Sequence, residues 1–115
     1  MTRLAVPVVS PEGLSSKVND HFAKSEYFAI IEDKKGKPRI VDFIKGAASE
    51  KASAGKVAGA GIDVVLAGRI GSCMISVFMD KGIKMYSGAA GTLLQAFKDY
   101  KAGKLAEVQP NPYQL

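Results

Sequence analysis

Hydrophobic and polar positions alternate around Leu4, Val6 and Val8 over residues 3–9, the period-two pattern of a strand. Residues 26–33 repeat the pattern through Tyr27, Phe28, Ile30 and Ile31, and residues 39–44 do so through Ile40, Val41, Phe43 and Ile44. The intervening Lys35-Gly36-Lys37-Pro38 is a turn signal, so the second and third strands form an antiparallel hairpin and the first half reads as a meander. Pro7 cannot donate a ladder hydrogen bond and is expected to mark where pairing of the first strand ends.

After Gly46 the texture changes to small residues. Ser49 is placed to cap a helix running through Lys51, Ala52, Val57 and Ala58, which Gly59-Ala60-Gly61 ends. Residues 63–67 (Asp-Val-Val-Leu-Ala) are a short apolar run of the kind buried on both faces, followed by a helix with Ile75, Phe78 and Met79 at helical spacing. Gly82 stops that helix, and residues 83–86 are a fifth strand. Leu93, Leu94, Phe97 and Tyr100 mark the inner stripe of a last helix ending near Gly103. The tail, with Pro110 and Pro112, reads as irregular. The order β-β-β-α-β-α-β-α places strands 4 and 5 in right-handed crossovers, parallel to each other, with the meander extending the same sheet. The expectation is an α/β fold: one mixed five-stranded sheet flanked by about three helices.

Composition bounds the rest. A chain of 115 residues is one domain, here with a compact part over about residues 3–105, and a chain of this size can bury a real core. Its 47% hydrophobic and 23% charged residues are those of a soluble globular protein, and no apolar run spans a bilayer. The strand-like N-terminus lacks the features of a signal peptide, which points to a cytoplasmic protein without membrane contact. A net charge of +5 favours acidic ligands. Nucleic acid is not the expected partner, because the lysines are dispersed and the densest group, residues 34–37, sits in a turn without interleaved aromatics. With Cys73 and His21 each alone of its kind, an internal disulfide and a site of several thiolates from one chain are excluded.

The most informative feature is an internal echo. Strand 4 is followed by Gly68-Arg69-Ile70-Gly71-Ser72 and strand 5 by Gly88-Ala89-Ala90-Gly91-Thr92, so the same G-x-x-G-[S/T] turn opens a helix twice. Glycines permit close backbone approach, Ser72 and Thr92 suit the helix N-cap, and amides there attract anions. The plainer alternative is an efficient strand-to-helix connection used twice. The sixteen residues from Ser10 to Ser25 leave the same sheet edge and carry Asn19-Asp20-His21-Phe22. In open α/β sheets, ligands bind beyond the carboxyl ends of the strands, where these segments would converge. His21 reads either as a metal or cluster ligand or as a polar loop residue bonded to backbone. Cys73 reads either as a thiolate favoured by the helix dipole or as a small buried residue beside Met74, Ile75 and Val77. Arg69 reads either as an anion partner or as a solvated side chain.

No phosphate loop, nucleophile elbow or second histidine is present, and the carboxylates are too scattered for a metal-dependent nuclease. Binding without catalysis is the better class.

The order of elements, with Leu4-Ala5-Val6-Pro7-Val8, Val18-Asn19-Asp20-His21-Phe22 followed by Tyr27-Phe28, Asp63-Val64-Val65-Leu66-Ala67-Gly68-Arg69-Ile70-Gly71 and then Gly91-Thr92, resembles the dinitrogenase iron-molybdenum cofactor biosynthesis family, the NifX-like and NifB C-terminal-like domains. The match covers roughly residues 3–105. The resemblance implies a ribonuclease H-like fold with strand order 3-2-1-4-5, used to bind or carry metal-sulfur clusters. It places a cluster-binding histidine at His21, with Ala23 standing where the family's His-Phe-Gly pattern has glycine. The family also includes members outside nitrogen fixation.

Clusters of the nitrogenase and thiomolybdate types are anionic, and a basic domain with amide-lined turns suits them. The expected ligand is therefore an iron-molybdenum or iron-sulfur type cluster, stored or delivered to assembly or acceptor proteins. Asn19, His21, Phe22, Gly68, Arg69, Gly71, Ser72, Gly88, Gly91 and Thr92 are the expected binding residues, and His21 and Cys73 the expected metal ligands. A homodimer would let two chains pool them. One rival is a module that binds a small organic anion or nucleotide without metal; another is a protein-interaction subunit with purely structural turns.

Overall fold

The computed structural model describes residues 2–22 and 25–108, apart from the side chains of Glu50 and Cys73. Its sheet is six-stranded: β1 (Arg3–Val8), β2 (Tyr27–Lys34), β3 (Lys37–Lys45), β4 (Val64–Leu66), β5 (Lys84–Ser87) and β6 (Ala106–Glu107), in the order β3-β2-β1-β4-β5-β6. The meander β1-β2-β3 is antiparallel, while β1, β4 and β5 run parallel. The helices are α1 (Glu50–Ala58), α2 (Ser72–Asp80) and α3 (Leu93–Lys101).

β1 is central, and this changes the meaning of its alternation. Leu4, Val6 and Val8 pack with Leu93, Ala96 and Phe97 of α3, whereas Ala5 faces the opposite layer, where Ala54 and Val57 of α1 and Met74 and Phe78 of α2 are buried. Both faces are covered, as parallel strands require.

Two expectations need correction at the sheet edges. The sheet has a sixth strand where an irregular tail was expected: Ala106 and Glu107 pair antiparallel with Ser87 and Tyr86. This strand of two exposed residues has no readable alternation. It forms because α3 ends in a Schellman turn at Gly103 (φ +74°), whose reversal lays the chain along β5. At the other edge the hairpin turn is only Lys35-Gly36, both at positive φ, and Pro38 lies within β3, where an edge strand tolerates the missing donor.

The helices follow their signals with local differences. Ser49 caps α1, its hydroxyl accepting from the Ala52 N–H, and Gly82 (φ +70°) closes α2 in a second Schellman turn. The buried stripe of α2 is Met74 and Phe78, one turn apart, while Met79 faces outward. In α3, Ala96 is buried and Leu94 only half-buried. Among the described residues, no helix is long and apolar enough to cross a membrane.

Lys101 of α3 ties this layer to the hairpin through a 2.6 Å hydrogen bond to the Asp33 carboxylate. That bond, helped by the Gly36 N–H and opposed by partial burial, holds Asp33 below its usual value of 3.8. A lowered carboxyl pKa stabilises the fold above the unfolded value, and the gain is lost as pH falls through the lowered one. Asp33→Asn should therefore melt earlier than the wild type at neutral pH, with the difference closing as pH falls below 3.8. Thermal melts across that window test this, and a difference that persisted in acid would refute it.

Candidate functional site

β1 and β4 pair only at Leu4–Val64 and Ala5–Val65; beyond these pairs a return segment of the long loop takes over. Pro7 thus marks a change of partner: β1 stays paired with β2 as far as Val8, and the Pro7 carbonyl accepts from the Asn19 N–H at 2.9 Å. The chain passes through a 3-10 turn at Gly13–Ser15, where the buried Ser16 hydroxyl accepts from the Glu12 N–H and donates to the Gly13 carbonyl. Residues 17–21 then run back along the end of β1, with Val8 and Val18 in an antiparallel bridge and the Val9 N–H on the Lys17 carbonyl.

The other side of this segment meets both glycine turns. Val18 N–H donates to the Gly91 carbonyl and Leu93 N–H to the Ser16 carbonyl, each at 2.8 Å. Arg69 N–H donates to the Asp20 carbonyl at 3.0 Å, and His21 forms a parallel bridge with Arg69. The three segments converge beyond the carboxyl ends of β1, β4 and β5, stitched by backbone.

That stitching separates the two turns. In the second, the Gly88 and Ala89 N–H groups donate to the Gly68 and Ala67 carbonyls, and Thr92 caps α3 by accepting from the Gln95 N–H. Gly88 (φ +93°) and Gly91 (φ +78°) take the left-handed backbone this joint needs. The second turn therefore acts as a joint, with these amides already paired. In the first turn, Gly71 and not Ser72 is the N-cap, and Ser72 is the first helical residue. Both are exposed, and no backbone hydrogen bond among the described residues uses their N–H groups, which holds for Gly91 and Thr92 of the second turn as well. Cys73 follows as the second residue of α2; its side chain, like all of Ala23, lies outside the described residues.

The side chains divide in the same way. Asn19 Oδ1 accepts the His21 N–H at 3.0 Å, an Asx turn that leaves the imidazole about half exposed. Arg69 is largely in solvent. Phe22 points the opposite way: it is 1% exposed, 4.7 Å by ring centroid from Phe28 and 5.4 Å from Phe78 in a T-shaped contact. Its role is anchorage, holding His21 at the surface by burying its own ring. Sequence reasoning gave Asp20 no role of its own. Its Oδ2 lies 3.6 Å from Arg69 Nε and 4.0 Å from His21 Nε2. A Cβ on Gly68 would stand 2.5 Å from Asp20 Oδ1 and 3.1 Å from its carbonyl, so the missing side chain lets Asp20 pack closely here. Among the described residues, no three His, Cys, Asp or Glu side chains form a metal-holding group.

Residues 3–103 match the family described as dinitrogenase iron-molybdenum cofactor. The chain belongs to this family. Membership associates it with the iron-molybdenum cofactor. A similar relative is the uncharacterized protein MJ0580 of Methanocaldococcus jannaschii, 24% identical across 95% of this chain and 93% of its own. Among solved structures, a putative NifB protein from Thermotoga is 28% identical with a TM-score of 0.74, covering 97% of this chain and 99% of that one. The apo form of the orange protein from Desulfovibrio gigas has a TM-score of 0.81 at 22% identity, covering 96% and 97% of the two chains, and shares the fold.

Proposed function

We propose that this family member binds an anionic metal-sulfur cluster, of iron-molybdenum, iron-sulfur or thiomolybdate type, at the edge beyond β1 and β4, and stores or delivers it without transforming it. The observation that carries the reading is the pairing of His21 with Arg69: backbone bridging holds an exposed imidazole beside an exposed guanidinium. An imidazole can ligate a metal, and a guanidinium screens the charge of an anion. The Gly71 and Ser72 amides lie next along the chain, and Cys73 after them is a second candidate ligand. Few protein ligands suit cargo that must be handed to an acceptor protein, since a cluster held by one or two bonds leaves more readily than one locked by four thiolates. The strand order and the antiparallel opening meander also support the ribonuclease H-like class.

Anaerobic reconstitution with iron, molybdate and sulfide, followed by metal analysis and visible absorption, tests the reading. Stoichiometric metal is the expected result. Metal no higher than in a control protein would overturn it, and thermal stabilisation by nucleotides or small organic anions would then favour the metal-free alternative.

A further inference from the structure

The Asp20 carboxylate sits where an anion approaching Arg69 and His21 would sit. Oδ2 lies 3.6 Å from Arg69 Nε and 4.0 Å from His21 Nε2, and Oδ1 rests against Gly68, where a Cβ would stand only 2.5 Å away. The main chain fixes this placement, because the Asp20 carbonyl accepts the Arg69 N–H and cannot drift from the arginine it faces. A negative group on the binding edge of a protein with net charge +5 runs against simple anion attraction.

We infer that Asp20 is an internal competitor for the anion site, a carboxylate that pairs with Arg69 when cargo is absent and sets how much charge a ligand needs to displace it. This rests on the carrier reading above and adds a specificity element to it. Exposed ion pairs are weak and screened by salt, and these side chains are 61% and 75% exposed, so the contact can open. A monoanion offers Arg69 about what the carboxylate already offers and gains little. A dianion or a larger cluster gains more from the guanidinium and can displace the carboxylate. When cargo leaves, Asp20 pairs with Arg69 again, which favours release.

The test uses anaerobic equilibrium dialysis with metal analysis, with tetrathiomolybdate as dianion and perrhenate as monoanion. Asp20→Asn keeps the shape of the side chain and removes its charge; Asp20→Ser removes the charge with a different shape and must agree in sign. Both should tighten tetrathiomolybdate by roughly two- to fivefold, as expected for a partly exposed charge pair. Repulsion grows with ligand charge, so the gain for perrhenate should be smaller; it should shrink in high salt and in an Arg69→Gln background. Unchanged affinity in either variant, with an unaltered melt, overturns the inference. Weaker binding also overturns it and marks Asp20 as a positioning residue for His21. If the wild type binds no tetrathiomolybdate, this inference falls together with the carrier reading; wild-type binding without a gain in the variants sinks the inference alone.

Discussion

Replacing His21 with alanine is expected to abolish nearly all of the bound metal and visible colour after reconstitution, with almost no change in melting temperature. The imidazole is about half exposed, and the contacts that hold this stretch are backbone ones: the His21 N–H on Asn19 Oδ1 and the Arg69 N–H on the Asp20 carbonyl. Alanine keeps them all. If His21 ligates the cluster, its loss removes the one imidazole of the chain, and no three His, Cys, Asp or Glu groups converge among the described residues to form another metal-holding set. If His21 only donates a hydrogen bond, its loss costs about 1–2 kcal/mol, roughly a five- to thirtyfold change in affinity. Metal analysis of wild type and variant side by side separates these outcomes. A variant that retained half its metal would rule out His21 as the principal ligand.

Phe22→Ala should do the reverse, with a large loss of stability first and a loss of binding as its consequence. The ring is 1% exposed and packs against Phe28 from β2 and Phe78 from α2, so it joins the loop, the sheet and a helix. Truncating a buried phenylalanine costs about 3–5 kcal/mol, against a total of about 5–15 kcal/mol for a typical domain. With the anchor gone, the bridge between His21 and Arg69 should open more often than the rest of the sheet. Urea melts should show the stability loss, and hydrogen exchange should show early loss of protection at the Arg69 amide. Protection there equal to that of β1 in the variant would mean that Phe22 does not hold the site.

The two variants differ because adjacent residues do different work, and the linear sequence shows only part of this. Asn19-Asp20-His21-Phe22 singled out a candidate loop through its lone histidine, but nothing in the string distinguishes a phenylalanine that touches a ligand from one that pins the loop. Burial decides that, and burial depends on Phe28 and Phe78, which come from distant elements. Asp20 was named in that motif but given no role of its own, for a related reason. A single exposed acidic residue carries no pattern, and its interest arises only when Arg69, 49 positions later in the chain, is brought beside it.

The glycine turns teach the same lesson. Repetition of G-x-x-G-[S/T] correctly located two strand-to-helix connections, because glycine and a capping hydroxyl are local requirements. It could not tell that the second turn would spend its Gly88 and Ala89 amides on the Gly68 and Ala67 carbonyls, while the first would give its Arg69 amide to the Asp20 carbonyl of the returning loop. The glycine framework is shared by the two turns; the residues between the glycines and the neighbours differ.

The sequence by itself determined what depends on short-range physics. Periodicity and short apolar runs specified the five principal strands and two of the helices, capping residues and stop glycines specified α1 and set most helix ends, and right-handed crossover specified the parallel run of β4 and β5. The tertiary structure alone decided which strand face meets which helix, the sixth strand laid down by the turn at Gly103, and the wedge of residues 17–21 between the end of β1 and the two turns. Those features are made by backbone hydrogen bonds and packing between residues far apart in the chain, and such pairings leave no mark on the local pattern of polar and apolar positions.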